Sequence, residues 1–316
     1  MPRAKDDEQD CWRNNVTNIL ELGSPGDLRV LVNDMPNIYF ILYEISLYLQ
    51  LAVCLPHAWK NGRANLLRLF AGILFGVLLE LATIRQLHAY QYGQFLIMVW
   101  DVPLGIGVAW GSILYSVMEF SDTSSLPYFV RPVLDGLLAL NIDLSLDAVA
   151  IRFGFWDWGA GLNFQYFGVP YANFWAWFWV IFFFSFGYRL LARRKDWLGV
   201  WISALLALMI GLAGVLGTNA LITFGVRPEQ RNPIIFTSLG IALALVLAWR
   251  PRFDVKPAPP LAFWVPFLTH GYVLIAGLAA GVILDPPVLL WIGILMTAVA
   301  LYLHRGTILP VRTPSL

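Results

Sequence analysis

The sequence contains little charge and few cysteines. Asp, Glu, Lys and Arg together make up 13% of its 316 residues, whereas 59% are hydrophobic. The formal net charge of +1 argues against a nucleic-acid partner, which would need a basic patch. Two cysteines, Cys11 and Cys54, supply neither a disulfide framework nor a zinc site.

Motifs of several enzyme classes are also missing. The four histidines form no closely spaced pairs, which argues against a di-iron desaturase or hydroxylase. There is no Gly-rich phosphate loop and no dinucleotide fingerprint. The Asp143-x-x-x-Asp147 pair stands alone, whereas an intramembrane prenyltransferase needs two Asp-rich clusters to hold magnesium diphosphate. We therefore expect chemistry that uses no metal or redox cofactor.

Long apolar runs fill most of the chain and predict an all-α protein. A transmembrane helix needs about 20 mostly apolar residues. Candidate spans lie near 36–56, 66–87, 95–119, 127–150, 171–191, 197–222, 232–250, 261–284 and 286–304. We predict a polytopic membrane bundle of about nine spans at 36–306, in which 127–150 is the weakest. A polar N-terminal tail at 1–35 and a C-terminal tail at 307–316 flank it.

Positive charges set the predicted orientation, because short cytoplasmic loops are rich in Lys and Arg. Nine spans place three basic clusters on one side, together with Arg305 and Arg312. The clusters are Lys60, Arg63 and Arg68; Arg189, Arg193, Arg194 and Lys195; and Arg250, Arg252 and Lys256. This side is predicted to be cytoplasmic, with the C-terminus on it and the N-terminal tail outside.

Acidic side chains within spans are costly and usually face the bundle interior. In the second span, Glu80 follows Gly72 and Gly76 at i+4 steps. Since glycines permit close helix packing, Glu80 should point into protein rather than lipid. In the third span, Asp101 precedes Pro103, a local break that is tolerated where backbone is buried or lines a cavity. Both acids lie roughly mid-span, so we expect them to be functional.

The fourth span carries three acids, Asp135, Asp143 and Asp147. They form one broad stripe, because each i+4 step drifts by about 40° around a helix. For Asp143 and Asp147, a catalytic role and a solvated helix end, with Asp147 paired to Arg152, both fit the pattern.

The run NIDLSLDAVAIRFGFWDW and the following YFGVPYANFWAWF resemble the CruF-type carotenoid biosynthesis family. Members of that family carry an Asp-Leu-x-Leu-Asp segment, a Trp-x-Trp pair and a Gly-Val-Pro-x-x-Asn-Phe run. The matching residues are Asp143, Leu144, Leu146, Asp147, Trp156, Trp158, Tyr166, Gly168, Val169, Pro170, Asn173 and Phe174.

Two upstream segments extend the resemblance. Glu80 with Tyr90-Gln91-Tyr92 is similar to a Glu followed by a Tyr-x-Tyr turn, and Val102-Pro103 with Ala109-Trp110 is similar to a Val-Pro…Ala-Trp segment. The likeness covers about residues 40–190. Ala148 stands where the family pattern has proline, so the chain resembles a divergent member.

The resemblance implies hydration of the terminal double bond of an acyclic carotenoid end, in a bacterial or archaeal cytoplasmic membrane. A carboxyl group in an apolar pocket keeps its proton and can act as a general acid. A second carboxylate, or Asn173, can orient the water. Glu80 and Asp143 are the first choices among the candidate catalytic residues. The full set is Glu80, Asp101, Asp135, Asp143 and Asp147.

Aromatic faces attract a developing cation, so aromatic residues near the acids are candidates for binding a lipophilic polyene that enters from the bilayer. An interfacial aromatic belt explains several of them equally well. The candidate substrate-binding residues are Tyr90, Tyr92, Trp110, Trp156, Trp158, Tyr166, Asn173 and Trp175.

Other functions fit the same residues. A related cyclase or isomerase would use the same protonation step and differ only in what captures the cation. A proton-coupled transporter would use Glu80, Asp101 and Asp135 as a relay, with a discontinuous third helix. A non-catalytic pigment-binding subunit would need the aromatic residues alone.

Overall fold

The structure is a computed structural model that describes residues 37–87, 89–194, 196–253 and 257–308. The predicted N-terminal tail at 1–35 lies outside the described residues, as do residues 309–316 of the predicted C-terminal tail.

Nine helices of 16 residues or more follow one another along the described chain. They are α1 (Ile38–Lys60), α2 (Arg63–Leu87), α3 (Leu104–Thr123), α4 (Arg131–Phe153), α5 (Tyr171–Arg189), α6 (Ser203–Ala220), α7 (Pro228–Ala248), α8 (Pro260–Ala280) and α9 (Val288–Leu303). Short helical turns flank α6 at Leu198–Ile202 and Leu221–Gly225, and others lie at Val282–Leu284 and Arg305–Ile308.

The helices confirm an all-α, polytopic membrane bundle. Six of the described helical segments are long and apolar enough to cross a membrane, and α9 is a shorter apolar helix. The chain is therefore an integral membrane protein. The segments are Ile38–Lys60, Arg63–Arg85, Leu104–Thr123, Leu198–Gly225, Pro228–Ala248 and Pro260–Ala280.

Helix α4 forms where the weakest span was predicted, and other helices surround it. It packs against α3, α5, α7, α8 and α9. Its polar side chains are thereby removed from lipid, which is how a helix too polar to face lipid can belong to a membrane bundle. Gly154 ends it in the left-handed conformation, with φ 76°.

The predicted third span begins later than its hydropathy suggested. Residues 91–103 carry short strands, and helix α3 starts only at Leu104, after Pro103. Proline lacks a backbone N–H and has a fixed φ, so it suits the position just before a helix. The strands β2 (Met98–Val99) and β3 (Val102–Pro103) form a hairpin that projects Trp100 and Asp101 at its tip.

Glycines let α2 and α3 approach closely, as the i+4 spacing predicted. A Cβ on Gly76 would lie 2.5 Å from Cβ of Trp110, and one on Gly72 would lie 3.0 Å from Cα of Gly111. Only glycine fits at position 76 without displacing the indole of Trp110. The same face of α2 carries Glu80, which therefore points into the helix pair.

A second small sheet joins the segments that follow α2 and α4. Strand β1 (Gln91–Tyr92) pairs antiparallel with β4 (Trp156–Asp157), with Tyr92 opposite Trp156. The backbone N–H of Gly93 also donates to the carbonyl of Phe155 at 2.9 Å. This pairing brings the Tyr-x-Tyr and Trp-x-Trp segments together over one end of the bundle.

Candidate active site

Glu80 is buried in α2 and accepts three hydrogen bonds. The indole Nε1 of Trp110 donates to its Oε1 at 2.7 Å, and the hydroxyl of Tyr92 donates to its Oε2 at 2.8 Å. The hydroxyl of Tyr90 donates to the same Oε2. We call these four residues the Glu80 cluster. Because all three partners are donors, the geometry makes Glu80 the shared acceptor of the cluster.

The two tyrosines of the Glu80 cluster remain protonated. Burial and the neighbouring charge of Glu80 raise the pKa of Tyr90 and the pKa of Tyr92 well above the usual value for tyrosine. Both phenols therefore keep the O–H that they donate to Glu80. The cluster acts as a fixed anchor for the carboxylate.

The second polar centre joins α4 to the first turn of α5. The side-chain nitrogen of Asn173 lies 3.2 Å from both carboxyl oxygens of Asp143 and 2.6 Å from Oδ2 of Asp147. We call Asp143 and Asp147 the acid pair. Both are buried, with 0% and 2% of their surface exposed. The interpretation of Asp143 and Asp147 as part of a solvated helix end is therefore wrong.

One oxygen of the acid pair has no hydrogen-bond partner among the described residues. Oδ1 of Asp147 is buried and accepts no hydrogen bond in the described chain. No Lys, Arg or His among the described residues forms an ion pair with Glu80, Asp143 or Asp147. Arg152, the partner that the sequence suggested, instead donates to the backbone carbonyls of Ala148, Phe167 and Asp285. A buried polar atom without a partner is rare in proteins and is frequent where a ligand or water binds.

The acid pair and the Glu80 cluster are electrostatically linked. The charge of Asp147 contributes to the raised pKa of Tyr90, after burial and Glu80. Burial first, then Asp143 and Asp147, raise the pKa of Tyr166. The two polar centres therefore lie within electrostatic range of each other, in one region of the bundle.

Aromatic rings line this region. The rings of Tyr90 and Trp158 lie 4.6 Å apart between centroids, and those of Tyr92 and Trp156 lie 6.0 Å apart. On the other side of Glu80, Trp110 packs against Trp177 at 4.5 Å. Trp177 was not among the predicted substrate-binding residues. It lies one helical turn beyond Asn173, and this spacing is the one sequence feature that could have predicted its place near the site.

Tyr166 covers the acid pair from the segment between α4 and α5. Its hydroxyl donates to the carbonyl of Leu144 at 2.8 Å, and its ring meets Phe174 at 4.9 Å. The backbone of Tyr166 bonds that of Val169, which closes a tight turn through Gly168 at φ 101°. The Gly-Val-Pro run thus places Asn173 at the start of α5.

Asp101 does not join this region, and its predicted mid-span position is wrong. It lies in the β2–β3 hairpin with 53% of its side chain exposed, and it pairs with Arg85 at 2.8 Å. The residues on both sides of Asp101 are apolar, so the sequence resembled one continuous span. The residues before Leu104 fold as the β2–β3 hairpin instead of as helix.

Asp135 and Trp175 also lie apart from the acid pair. Asp135 is fully buried near the other end of α4, where Ser185 donates to it at 2.6 Å and Arg189 pairs with it at 3.2 Å. Trp175 packs in a separate apolar cluster with Ile222 and Ile235. The structure therefore brings together Glu80, Asp143, Asp147, Asn173 and the other candidate aromatic residues, but not these two.

Glu44 is a buried acid for which no function was predicted. Its carboxylate accepts the backbone N–H of Leu96 at 2.8 Å and that of Ile97 at 3.2 Å, and the hydroxyl of Tyr48 at 2.8 Å. It therefore holds the segment before β2 against α1, which is a structural role. Among the described residues, no three His, Cys, Asp or Glu side chains are grouped so that they could hold a metal ion.

Comparison with known proteins gives one match. The family model described as "Carotenoid biosynthesis protein" matches residues 39–247, which include the Glu80 cluster, the acid pair and Asn173. No curated protein and no solved structure matches the chain.

Proposed function

The chain belongs to the carotenoid biosynthesis protein family, and we propose that it hydrates the terminal double bond of an acyclic carotenoid end. Family membership gives the chain a role in carotenoid biosynthesis and confirms the resemblance seen in the sequence. The observation that carries the finer proposal is the buried acid pair, which shares one donor, Asn173, and has a free oxygen on Asp147.

The acid pair is the proposed proton donor. Two adjacent buried carboxylates repel each other when both are ionised, and no cation of the described residues pairs with these two, so the pair retains a proton. The amide of Asn173 bridges both side chains and keeps them adjacent. A neutral carboxyl in an apolar site can protonate an alkene as a general acid.

The proposed reaction consumes water and regenerates the acid. The proton passes from the carboxyl to the less substituted carbon of the terminal double bond, which leaves a tertiary cation on the neighbouring carbon. The oxygen of a water molecule bonds to that carbon and gives up a proton to the carboxylate. The product is a tertiary alcohol, and the acid pair has its proton back.

The Glu80 cluster and the surrounding rings are proposed to stabilise the cation. Glu80 accepts hydrogen bonds from three donors, and in its ionised form it would place a fixed negative charge near the acid pair. Preorganised charge of this kind stabilises an opposite charge that develops during a reaction. The faces of Trp156 and Trp158 would each add about 1–2 kcal/mol in a dry site.

The remaining parts of the proposal concern the membrane. A lipophilic polyene would reach the site from the bilayer, since the bundle is a membrane protein in a carotenoid biosynthesis family. The basic clusters favour a cytoplasmic C-terminus in a bacterial or archaeal membrane, with residues 1–35 outside. We treat residues 36–306 as one membrane domain.

The test is to produce the chain in bacteria that make an acyclic carotenoid such as lycopene and to analyse the extracts by chromatography and mass spectrometry. We expect a more polar product heavier by one water. Asp147→Asn and Asp143→Asn should each reduce it by about a hundredfold or more, because they remove the proton donor. Glu229→Gln is the matched control, since Glu229 is an exposed acid at the start of α7.

The other outcomes are distinguishable. A new product of unchanged mass would identify a cyclase or isomerase that uses the same acid. Unmodified pigment that co-purifies with the protein would identify a pigment-binding subunit. If both Asp variants are present in the membrane and make as much product as Glu229→Gln, the acid pair is not the donor.

A further inference from the structure

A second polar region lies at the opposite end of the bundle from the acid pair. Asp135 and Asp147 are twelve residues apart on α4, which corresponds to about 18 Å along a helix. Asp135 pairs with Arg189, the last residue of α5, whereas Asp147 contacts Asn173 in the first turn of α5. The two regions are therefore separate sites.

A cavity of about 240 Å³ opens in this second region. A water molecule needs only about 10–15 Å³ of such volume, so the space is large enough for a polyatomic ion. Four of its nine lining residues are arginines. It is lined by Arg68, Met118, Asp122, Tyr128, Arg131, Tyr188, Arg189, Ala192 and Arg193, and we call it the basic cavity.

Arg68 is the most informative of these residues. Only 4% of its surface is exposed, and its guanidinium lies 4.4 Å from the ring centroid of Tyr115 and 5.4 Å from that of Tyr188. One terminal nitrogen donates to Asn65 and Glu119, but the buried Nε–H has no acceptor in the described chain. Arg68 is thus a buried guanidinium in the wall of a cavity, and a charge in such a setting favours an anionic ligand.

Arg193 supplies a cation that no carboxylate neutralises. Its guanidinium is 4.1 Å from the ring centroid of Tyr128, and it forms no ion pair in the described part of the chain. The hydroxyl of Tyr128 donates to the carbonyl of Arg189 at 2.6 Å, which fixes the ring on which Arg193 rests. Arg193 is therefore held at the cavity, and its N–H groups make no side-chain hydrogen bond or ion pair with another described residue.

The charges of the region are unbalanced. Four guanidinium groups line the basic cavity, whereas three carboxylates pair with them. The carboxylates are Glu119, Asp122 and Asp135. Among the residues that the structure describes, one positive charge therefore remains, and it belongs to Arg193.

We propose that the basic cavity binds a phosphate group, carried either by an anionic lipid headgroup or by a free phosphate compound. Arginine presents several N–H donors in a planar fork that matches phosphate oxygens. The guanidinium groups of Arg68 and Arg193 are the proposed contacts. The cavity lies where α3 and α5 end and α4 begins. Basic pockets between membrane helices are known to bind lipid headgroups.

The test compares two neighbouring exposed arginines in the full-length chain purified in detergent. Arg193→Gln removes the proposed contact, whereas Arg194→Gln removes the same charge from a residue that pairs with Asp196 and does not line the cavity. One arm measures the thermal midpoint in inorganic phosphate against chloride at equal ionic strength. The other measures retained phosphatidylglycerol by native mass spectrometry.

We expect Arg193→Gln to weaken binding of the responding probe about fivefold and Arg194→Gln to leave it unchanged. A response to inorganic phosphate identifies a free phosphate ligand, and a response to phosphatidylglycerol alone identifies a headgroup. The proposal is overturned if the unmodified chain responds to neither probe, or if the two folded variants respond alike. Neither arm depends on hydration of a carotenoid.

Discussion

Asn173 and Asp147 meet across two helices, with 2.6 Å between the side-chain nitrogen of Asn173 and Oδ2 of Asp147. The same nitrogen lies 3.2 Å from both carboxyl oxygens of Asp143, so a single amide bridges two buried carboxyl groups. This bond connects the first turn of α5 to α4, and the whole acid pair depends on it.

Asn173→Leu should therefore destabilise the protein although it preserves the size of the side chain. It leaves the acid pair without its donor, which costs about 1–3 kcal/mol for a buried polar group. We expect a lower unfolding midpoint in detergent. Asn232→Leu is the control, because Asn232 makes no side-chain hydrogen bond in the described part of the chain. Equal midpoints for the two variants would contradict the assignment of the bridge.

The contact between Glu80 and Tyr92 can be measured by a double-mutant cycle. Tyr92→Phe removes one of three donors to Glu80, and Glu80→Gln removes the charge that they bind. Because the groups contact directly, the two changes should be non-additive by about 1 kcal/mol or more in unfolding free energy. The cycle of Glu80→Gln with Tyr302→Phe should be additive, since Tyr302 is exposed. Similar coupling in both cycles would show that the contact does not form.

Asp101→Asn should leave the proposed hydration intact. Its side chain is 53% exposed, and an exposed ion pair with Arg85 contributes only about 0–1 kcal/mol. The measurement is the yield of hydrated carotenoid from cells that contain equal amounts of the variant and the unmodified protein. Loss of product from an intact Asp101→Asn protein would return this residue to the catalytic set.

Gly76→Ala should impair both stability and the site. A methyl group there would lie 2.5 Å from Cβ of Trp110, so the indole that donates to Glu80 must move. Overpacking of this kind costs about 1–3 kcal/mol. Gly217→Ala is the matched helical control, because nothing lies within 4 Å of its new Cβ. Thermal unfolding of the two variants side by side decides the prediction, and an equal midpoint would refute it.

Local spacing in the sequence predicted much of the candidate site. Gly72 and Gly76 place Glu80 against α3 because they share its face of α2, and the i+4 spacing puts Asp143 and Asp147 together. The same rule explains why Asp135 is elsewhere. Its two i+4 steps to Asp143 add about 80° of rotation and about 12 Å of rise, so Asp135 meets Arg189 instead.

Other features depended on tertiary contacts that spacing does not contain. Trp175 lies two residues after Asn173, which turns it by about 200° around α5, towards Ile222 and Ile235. Asp101 was misplaced because hydropathy cannot distinguish an apolar hairpin from the start of a span. The pairing of Tyr92 with Trp156 joins segments more than 60 residues apart and is visible only in the fold.

The candidate site lies beneath the paired segments β1 and β4, and its acid pair lies between the middle of α4 and the C-terminal end of that helix. A rigid, rod-shaped polyene aligned with the helices would offer only its tip to such a site. If the proposed reaction occurs there, the enzyme selects by end group rather than by the length of the conjugated chain. A molecule modified at both ends would have to leave the protein and return in the reverse direction.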